Sequence, residues 1–237
     1  MPFTFSHPAI IFPFLRNKKL SATALIVGSM SPDFEYFFRM KIQSEISHTF
    51  LGIFLIDFPL GFIVMFVFHK IIKKPLIENS PAFFSLRMQK LKELNWNCFF
   101  KNNVFIVLIS FFLGTVSHLL WDSFTHWDGY FVQRIFFLNL ELYSVPLYKI
   151  AQHLSSLIGM IFIAHYIYKL PVRKETITKP KWKYWLIVLV LTFVFISIRW
   201  TFGLSFNQIG NIVVSLISST ILALTFAGLN FRSKRVI

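Results

Sequence analysis

The sequence predicts an all-α, polytopic membrane helix bundle with about five transmembrane helices plus a short N-terminal interfacial or re-entrant helical segment. Three observations carry this. The chain is 55 % apolar and only 14 % charged, with a mean hydropathy of +0.63, whereas soluble domains carry about a quarter charged residues. Five apolar runs are long enough to cross a hydrocarbon core of roughly 30 Å. The Lys and Arg residues gather between those runs.

The elements follow in order. Pro2 to Phe14 is apolar with three prolines, and Arg16, Lys18 and Lys19 follow it. Leu20 to Met30 is apolar but too short to span, so it reads as a helix at the interface or packed on the bundle. Ser31-Pro32-Asp33 reads as a helix start, with Ser31 as N-cap and Pro32 at the first helical position. The spans are expected at about Phe50 to Phe68, Val104 to Trp121, Leu154 to Tyr168, Tyr184 to Phe202 and Ile209 to Leu229. Pro59 and Gly61 should kink the first. A metal-site membrane domain over 1–169 and a C-terminal two-helix hairpin over 170–237 are the expected divisions.

The formal net charge of +14 fits topology better than nucleic acid, because no folded basic domain is left over to grip a phosphate backbone. Basic loops stay cytoplasmic. The loop from Lys70 to Lys101 carries Lys70, Lys73, Lys74, Arg87, Lys90, Lys92 and Lys101 against Glu78 and Glu93. The loop from Lys169 to Lys183 adds Arg173, Lys174, Lys179 and Lys181, and the tail ends in Arg232, Lys234 and Arg235. These segments and the C-terminus are expected in the cytoplasm. Residues 1–49 and the Asp122 to Ile150 loop then face outward, although Arg16, Lys18, Lys19, Arg39 and Lys41 pull the other way. Cys98 is the only cysteine, which excludes an intrachain disulfide and a cysteine-based zinc site.

This topology places seven ligand-type side chains in one layer. His118 and Asp122 end the second span and His126 lies just beyond. His48 starts the first span and His153 the third, while His7 and Asp33 belong to the N-terminal segment. Imidazole and carboxylate are ligands of zinc and similar divalent ions. Steps of four residues advance about 6 Å and drift about 40°, so on a straight helix His118 and His126 are about 12 Å and 80° apart. They cannot share one ion there: either the helix ends near Asp122 and His126 folds back, or His126 serves a second ion. Individually the residues have plainer readings. Asp33 also suits a helix N-terminus, and His126 also suits a turn before Asp128-Gly129. Asp57, roughly 13 Å into the first span, is a separate intramembrane candidate that a transporter would use. His165, deep in the third span, is its possible partner in the bundle core.

Ser6-His7-Pro8, Gly28-Ser29-Met30-Ser31-Pro32-Asp33-Phe34-Glu35-Tyr36, Ser47-His48, the run Ser117 to His126 and Gln152-His153-Leu154-Ser155-Ser156 together resemble an uncharacterised family of bacterial integral membrane proteins, domain of unknown function 4184. The resemblance runs from the N-terminus to about Met160. More distantly, Pro32-Asp33 and the His118-x-x-x-Asp122-x-x-Thr125 pattern are similar to predicted membrane-bound metal-dependent hydrolases, and more loosely to zinc-dependent phospholipase C. No His-x-x-x-Glu pair is present to complete that pattern. The resemblance implies a bacterial cytoplasmic-membrane protein holding one or two zinc or other divalent ions. Such ions would activate water; the site's depth at the headgroup level suggests a phosphoester or lipid-linked substrate, and the charge pattern of the loops an extracytoplasmic face. The alternatives are a non-catalytic membrane protein with a structural metal site and an ion or solute transporter using Asp57. Beyond the lipid bilayer and such a substrate no partner is implied, nucleic acid included.

Overall fold

The structure, a computed structural model, describes residues 3–173 and 181–231. Lys174, Lys179, Arg232, Lys234 and Arg235, part of the charge pattern used above for orientation, lie outside the described residues. The chain is helical almost throughout. A 3-10 helix covers Thr4–Phe14, followed by α1 (Ala22–Gly28), a 3-10 turn at Ser31–Asp33 and α2 (Phe34–Arg39). The long α3 runs over Phe50–Asn79. Short helices α4 (Ala82–Arg87), α5 (Gln89–Glu93) and α6 (Trp96–Asn102) lead to α7 (Val104–Thr125). After α8 (Phe136–Asn139) and a two-residue-per-strand hairpin, β1 (Glu141–Leu142) and β2 (Val145–Pro146), come α9 (Leu147–Lys169), α10 (Trp182–Thr201) and α11 (Ile209–Phe231).

Helices α3, α7, α9, α10 and α11 are long and apolar enough to cross a membrane, so the all-α polytopic bundle is the fold. In α9 and α10 only 11 % of the apolar window is buried by protein, and side chains such as Leu189 and Phe193 stand in the open. That surface is tolerable only against lipid. The chain is an integral membrane protein.

Two expectations are refined. Pro59 does not merely kink α3. Residues Ile53–Asp57 widen into a π-helical turn, which accommodates the ring against the carbonyl four residues back. A second π-helical turn at Phe68–Ile72 precedes Pro75 in the same way. Ser31 is not an N-cap. Its hydroxyl donates to Gly28 O at 2.9 Å and meets Thr115 Oγ1 at 3.0 Å, while Pro32 opens the following turn as expected.

The contacts group the chain into two compact units. The first comprises Met1–Phe34, Glu45–Gly61 and Phe100–Lys169. In it, Ile11, Phe12 and Leu25 form an apolar cluster with Leu20, Ile163 and Tyr166, packing the N-terminal 3-10 helix against α1 and α9. Helix α1 is capped by Ser21, whose hydroxyl accepts from Ala24 N, and it crosses α7 at very close range. A Cβ at Gly28 would strike Phe111 O, and one at Gly114 would strike Leu25 O. Glycine at both positions is what lets the two backbones touch.

The second unit comprises Glu35–Ser44, Phe62–Phe99 and Leu170–Ile237. Its core is the α10–α11 pair, with Tyr184, Val188, Ala223 and Ala227 buried against Leu76 and Phe231. Serines on α11 tie down the 35–44 segment, Ser218 donating to Phe37 O at 2.7 Å and Ser215 to Met40 O at 2.9 Å.

Candidate metal centre

Every residue of the site belongs to the first unit. Helix α7 presents one buried face, Val107, Ser110, Phe111, Gly114, Thr115, His118, Asp122 and Thr125, at the three- and four-residue spacing of an α-helix. Its first half, from Val107 to Thr115, seats α1 and the turn after it through Gly114 and the Ser110 and Thr115 hydroxyls. Its second half is polar, with His118 fully buried and Asp122 nearly so. The other donors come to this face from three segments. In the 3-10 helix residues i and i+3 eclipse, so Thr4 and His7 share an edge. His7 Nε2 lies 3.6 Å from Asp122 Oδ1, and Thr4 Oγ1 donates to Asp33 Oδ2 at 2.5 Å. The turn before α2 delivers Asp33, and the residue before the Thr49 cap of α3 delivers His48.

The central atom is His118 Nε2, 3.2 Å from Asp122 Oδ2 and 3.8 Å from Asp33 Oδ1. His48 Nε2 lies 3.5 Å from Asp33 Oδ1 and 3.9 Å from Asp122 Oδ2. On the other side of the Asp122 carboxylate, His126 Nδ1 lies 3.3 Å from Oδ1. Two triplets, His7–His118–Asp122 and Asp33–His48–His118, each offer ligand atoms within 4.8 Å of one another. Most of these separations are long for a hydrogen bond. They suit ligands of a shared cation, because tetrahedral zinc with bonds of about 2.0–2.1 Å spaces its ligand atoms about 3.3 Å apart.

Tautomers point the same way. His118 Nδ1 donates to Ser29 O at 2.8 Å. The Ser47 hydroxyl donates to Pro32 O at 2.7 Å, so it accepts from His48 Nδ1 at 3.3 Å. With one proton on Nδ1, each ring aims its Nε2 at carboxylate oxygens, where either a cation or a second ring proton has to lie between them. Lone pair against lone pair is repulsive unless a cation or a second proton lies between them. His118 Nε2, both His7 nitrogens, Asp122 Oδ1 and His126 Nδ1 are buried with no aligned hydrogen-bond partner among the described residues, an arrangement costly unless an unseen group satisfies it. Burial, with His118 adding to it, pushes the His7 imidazole down to about 3, which keeps it neutral at physiological pH. It stacks on His118 at 3.7 Å between centroids. Burial likewise lowers His126. Burial alone would raise Asp33, but His118, His48 and the Thr4 hydroxyl hold its carboxyl below the usual carboxylate range.

Six of the seven residues singled out in the sequence come together: His7, Asp33, His48, His118, Asp122 and His126. Helix α7 continues to Thr125, and His126 leaves it in extended backbone, which carries its ring to the Asp122 oxygen that faces away from His118. His153 is not brought in. Helix α9 starts at Leu147, seven residues before the apolar run, and its buried stripe is Gln152, Ser156 and Gly159. His153 is turned outward and exposed, and Gln152 Nε2 approaches His126 Nε2 instead, at 3.4 Å. Asp57 is fully buried in the widened turn of α3. His165 is on an exposed face of α9 and is no core partner for it. Thr4, Ser29, Ser47 and Gln152 were missed. Thr4 left a signal in its three-residue offset from His7, whereas Ser29, Ser47 and Gln152 stood inside the motifs of the family resemblance without a role assigned to them.

The α1–α7 crossing makes a test that touches no ligand. Gly114→Ala forces the backbone from Leu25 to Ser29 away from α7 and draws Ser29 O off His118 Nδ1. Overpacking of this kind costs about 1–3 kcal/mol, and loss of such an outer-sphere partner costs about 10–100-fold in metal affinity. A lower melting temperature together with weaker zinc binding in a competition titration is the expected result. Leu120→Ala, on the exposed flank of the same helix, is the control and should change neither.

Fold and site thus define a class: a polytopic membrane protein with buried histidines and aspartates gathered from four segments at ligand spacing. The chain belongs to the family described as Domain of unknown function (DUF4184), whose model matches residues 1–229. The match therefore continues well past Met160, through α10 and most of α11. Neither the curated proteins nor the solved structures gave a match, so hydrolases and phospholipase C gain no support from these comparisons.

Proposed function

We propose that this protein is a membrane-embedded, metal-dependent hydrolase whose centre is built on His118 and Asp122. One observation carries the reading: imidazoles and carboxylates from four segments converge at ligand spacing, and the cluster has one open side. His7 and His118 are sealed, whereas the side chains of His48 and His126 are 29 % and 26 % exposed. A structural site fills every coordination position with protein ligands, whereas a catalytic one leaves a position for water, and the exposed edge at His48 and His126 is where water could reach the ion.

His118, Asp122, Asp33 and His48 would hold one divalent ion, and a further one would draw His126 toward His7 across the second Asp122 oxygen. Zinc fits the donor set, since it accepts nitrogen and carboxylate ligands together. A bound cation supplies Lewis acidity and a low-pKa water for hydrolysis. The chain's own contributions are orientation and charge. Ser29 O and the Ser47 hydroxyl fix the two tautomers, Thr4 steadies Asp33, and Gln152 reaches His126 on the open side. Because the donors sit at the ends of apolar helices, a phosphoester or lipid-linked phosphate at headgroup depth is the proposed substrate class. The basic loops at the other end support the further proposal that this end faces the extracytoplasmic side of a bacterial cytoplasmic membrane.

A second reading has its own support. His7 and Asp33 are fully buried and join the N-terminal segment to α7, which a purely structural ion would also achieve. Metal analysis and turnover separate the two. Purified protein in proteoliposomes should carry stoichiometric zinc and hydrolyse a chromogenic phosphodiester, with activity lost on chelation and restored by zinc. Stoichiometric metal without turnover on phosphoester or lipid-phosphate substrates would leave the structural reading. Absence of metal would sink both.

A further inference from the structure

A separate cavity of about 430 Å³ lies wholly within the second unit, lined by Lys70, Lys73 and Lys74 of α3, by Glu78 and Glu93, and by Trp96. We propose that it binds a phosphate-bearing anion, of the kind presented by an anionic phospholipid headgroup. Length places it at the right depth. Helix α3 has 30 residues, about 45 Å at 1.5 Å per residue, whereas crossing the core takes about 20. The surplus third begins at Lys70, so its lysines emerge where phosphates lie.

Charge and burial point to an anion. Lys73 is only 2 % exposed, an unusual position for an ammonium group. Its Nζ donates to Leu94 O at 2.6 Å, which uses one of its three donors. The two carboxylates of the lining are engaged by other bases, Glu78 by Lys92 at 3.9 Å and Glu93 by Arg173 at 2.7 Å. They therefore leave three lysines in excess around the cavity. One wall is aromatic, the His69 ring stacking on Trp96 at 4.6 Å with planes 8° apart. Basic pockets beside membrane helices are where acidic headgroups bind, each Lys contributing about 1 kcal/mol, or fivefold.

The test uses the full chain in nanodiscs of phosphatidylcholine alone or doped with phosphatidylglycerol, read by native mass spectrometry, beside calorimetric titration with inorganic phosphate in detergent. Retention of phosphatidylglycerol over phosphatidylcholine identifies the lipid as the source. Saturable binding of inorganic phosphate without lipid selectivity identifies a soluble phosphate. In either case Lys70→Gln and Lys74→Gln, both at exposed positions, should each weaken binding about fivefold with an unchanged melting temperature. Lys73→Gln should weaken it further, but its burial puts the fold at risk, so the two exposed variants decide. Binding of neither probe, or binding that is indifferent to Lys70 and Lys74, would overturn the proposal.

Discussion

If the proposed centre holds a cation, His118→Gln is expected to lower zinc affinity at least about 100-fold, because even outer-sphere partners of a metal site are worth about 10–100-fold. His118 belongs to both ligand triplets, so its loss reaches both groupings of donors. The informative part is the sign of the stability change with and without metal. If the cluster is built for a cation, the neutral amide relieves crowding of lone pairs, and the variant melts no lower than wild type in chelator. Wild type alone then gains on adding zinc, by about 4 kcal/mol at a thousand times the dissociation constant. If instead His118 and Asp122 are an ordinary buried ion pair at 3.2 Å, the variant should lose about 3–5 kcal/mol in chelator as well, the usual cost of leaving one charge unpaired. Thermal melts of the two proteins in both buffers, beside elemental analysis, distinguish the outcomes.

The residues that sequence made legible are those whose chemistry and spacing travel together. The apolar lengths gave five spans because a bilayer imposes a length. His118 and Asp122 were readable as a pair because a four-residue step on a helix leaves one geometric answer. His7, Asp33 and His48 could be assigned to the same layer from topology, but their convergence depends on the tight crossing of α1 over α7. What failed to show has physical causes too. His153 was placed by where hydrophobicity begins, yet α9 starts at Leu147 with polar residues. The face of that helix packed on the protein carries Gln152, Ser156 and Gly159, which leaves His153 about 100° away. Ser29 contributes a backbone carbonyl, which no search by residue type can find. The π-helical turns in α3 arise from the prolines after them, and a periodicity of 3.6 does not anticipate them.

Counting ions should give two per chain in wild type, one in His126→Ala and none in Asp122→Ala. The reason lies in how the Asp122 carboxylate is shared. Its Oδ2 faces His118 and His48 at 3.2 and 3.9 Å, whereas its Oδ1 faces His126 and His7 at 3.3 and 3.6 Å. Two sets of imidazoles on the two oxygens of one carboxylate is the layout of a bridging ligand. His126 touches only the Oδ1 side, so its loss should spare the ion held by His118, Asp33 and His48. Loss of Asp122 takes an anionic ligand from both positions at once. Paired ions in phosphoester hydrolysis act jointly on the attacking and leaving oxygens, so turnover should fall sharply in both variants although metal content differs. Asp122→Asn refines the point, since it keeps the shape and removes the charge. If elemental analysis returns a single ion in wild type and His126→Ala leaves it in place with full turnover, then His7 and His126 shape the approach to a mononuclear site, and Asp122 bridges nothing.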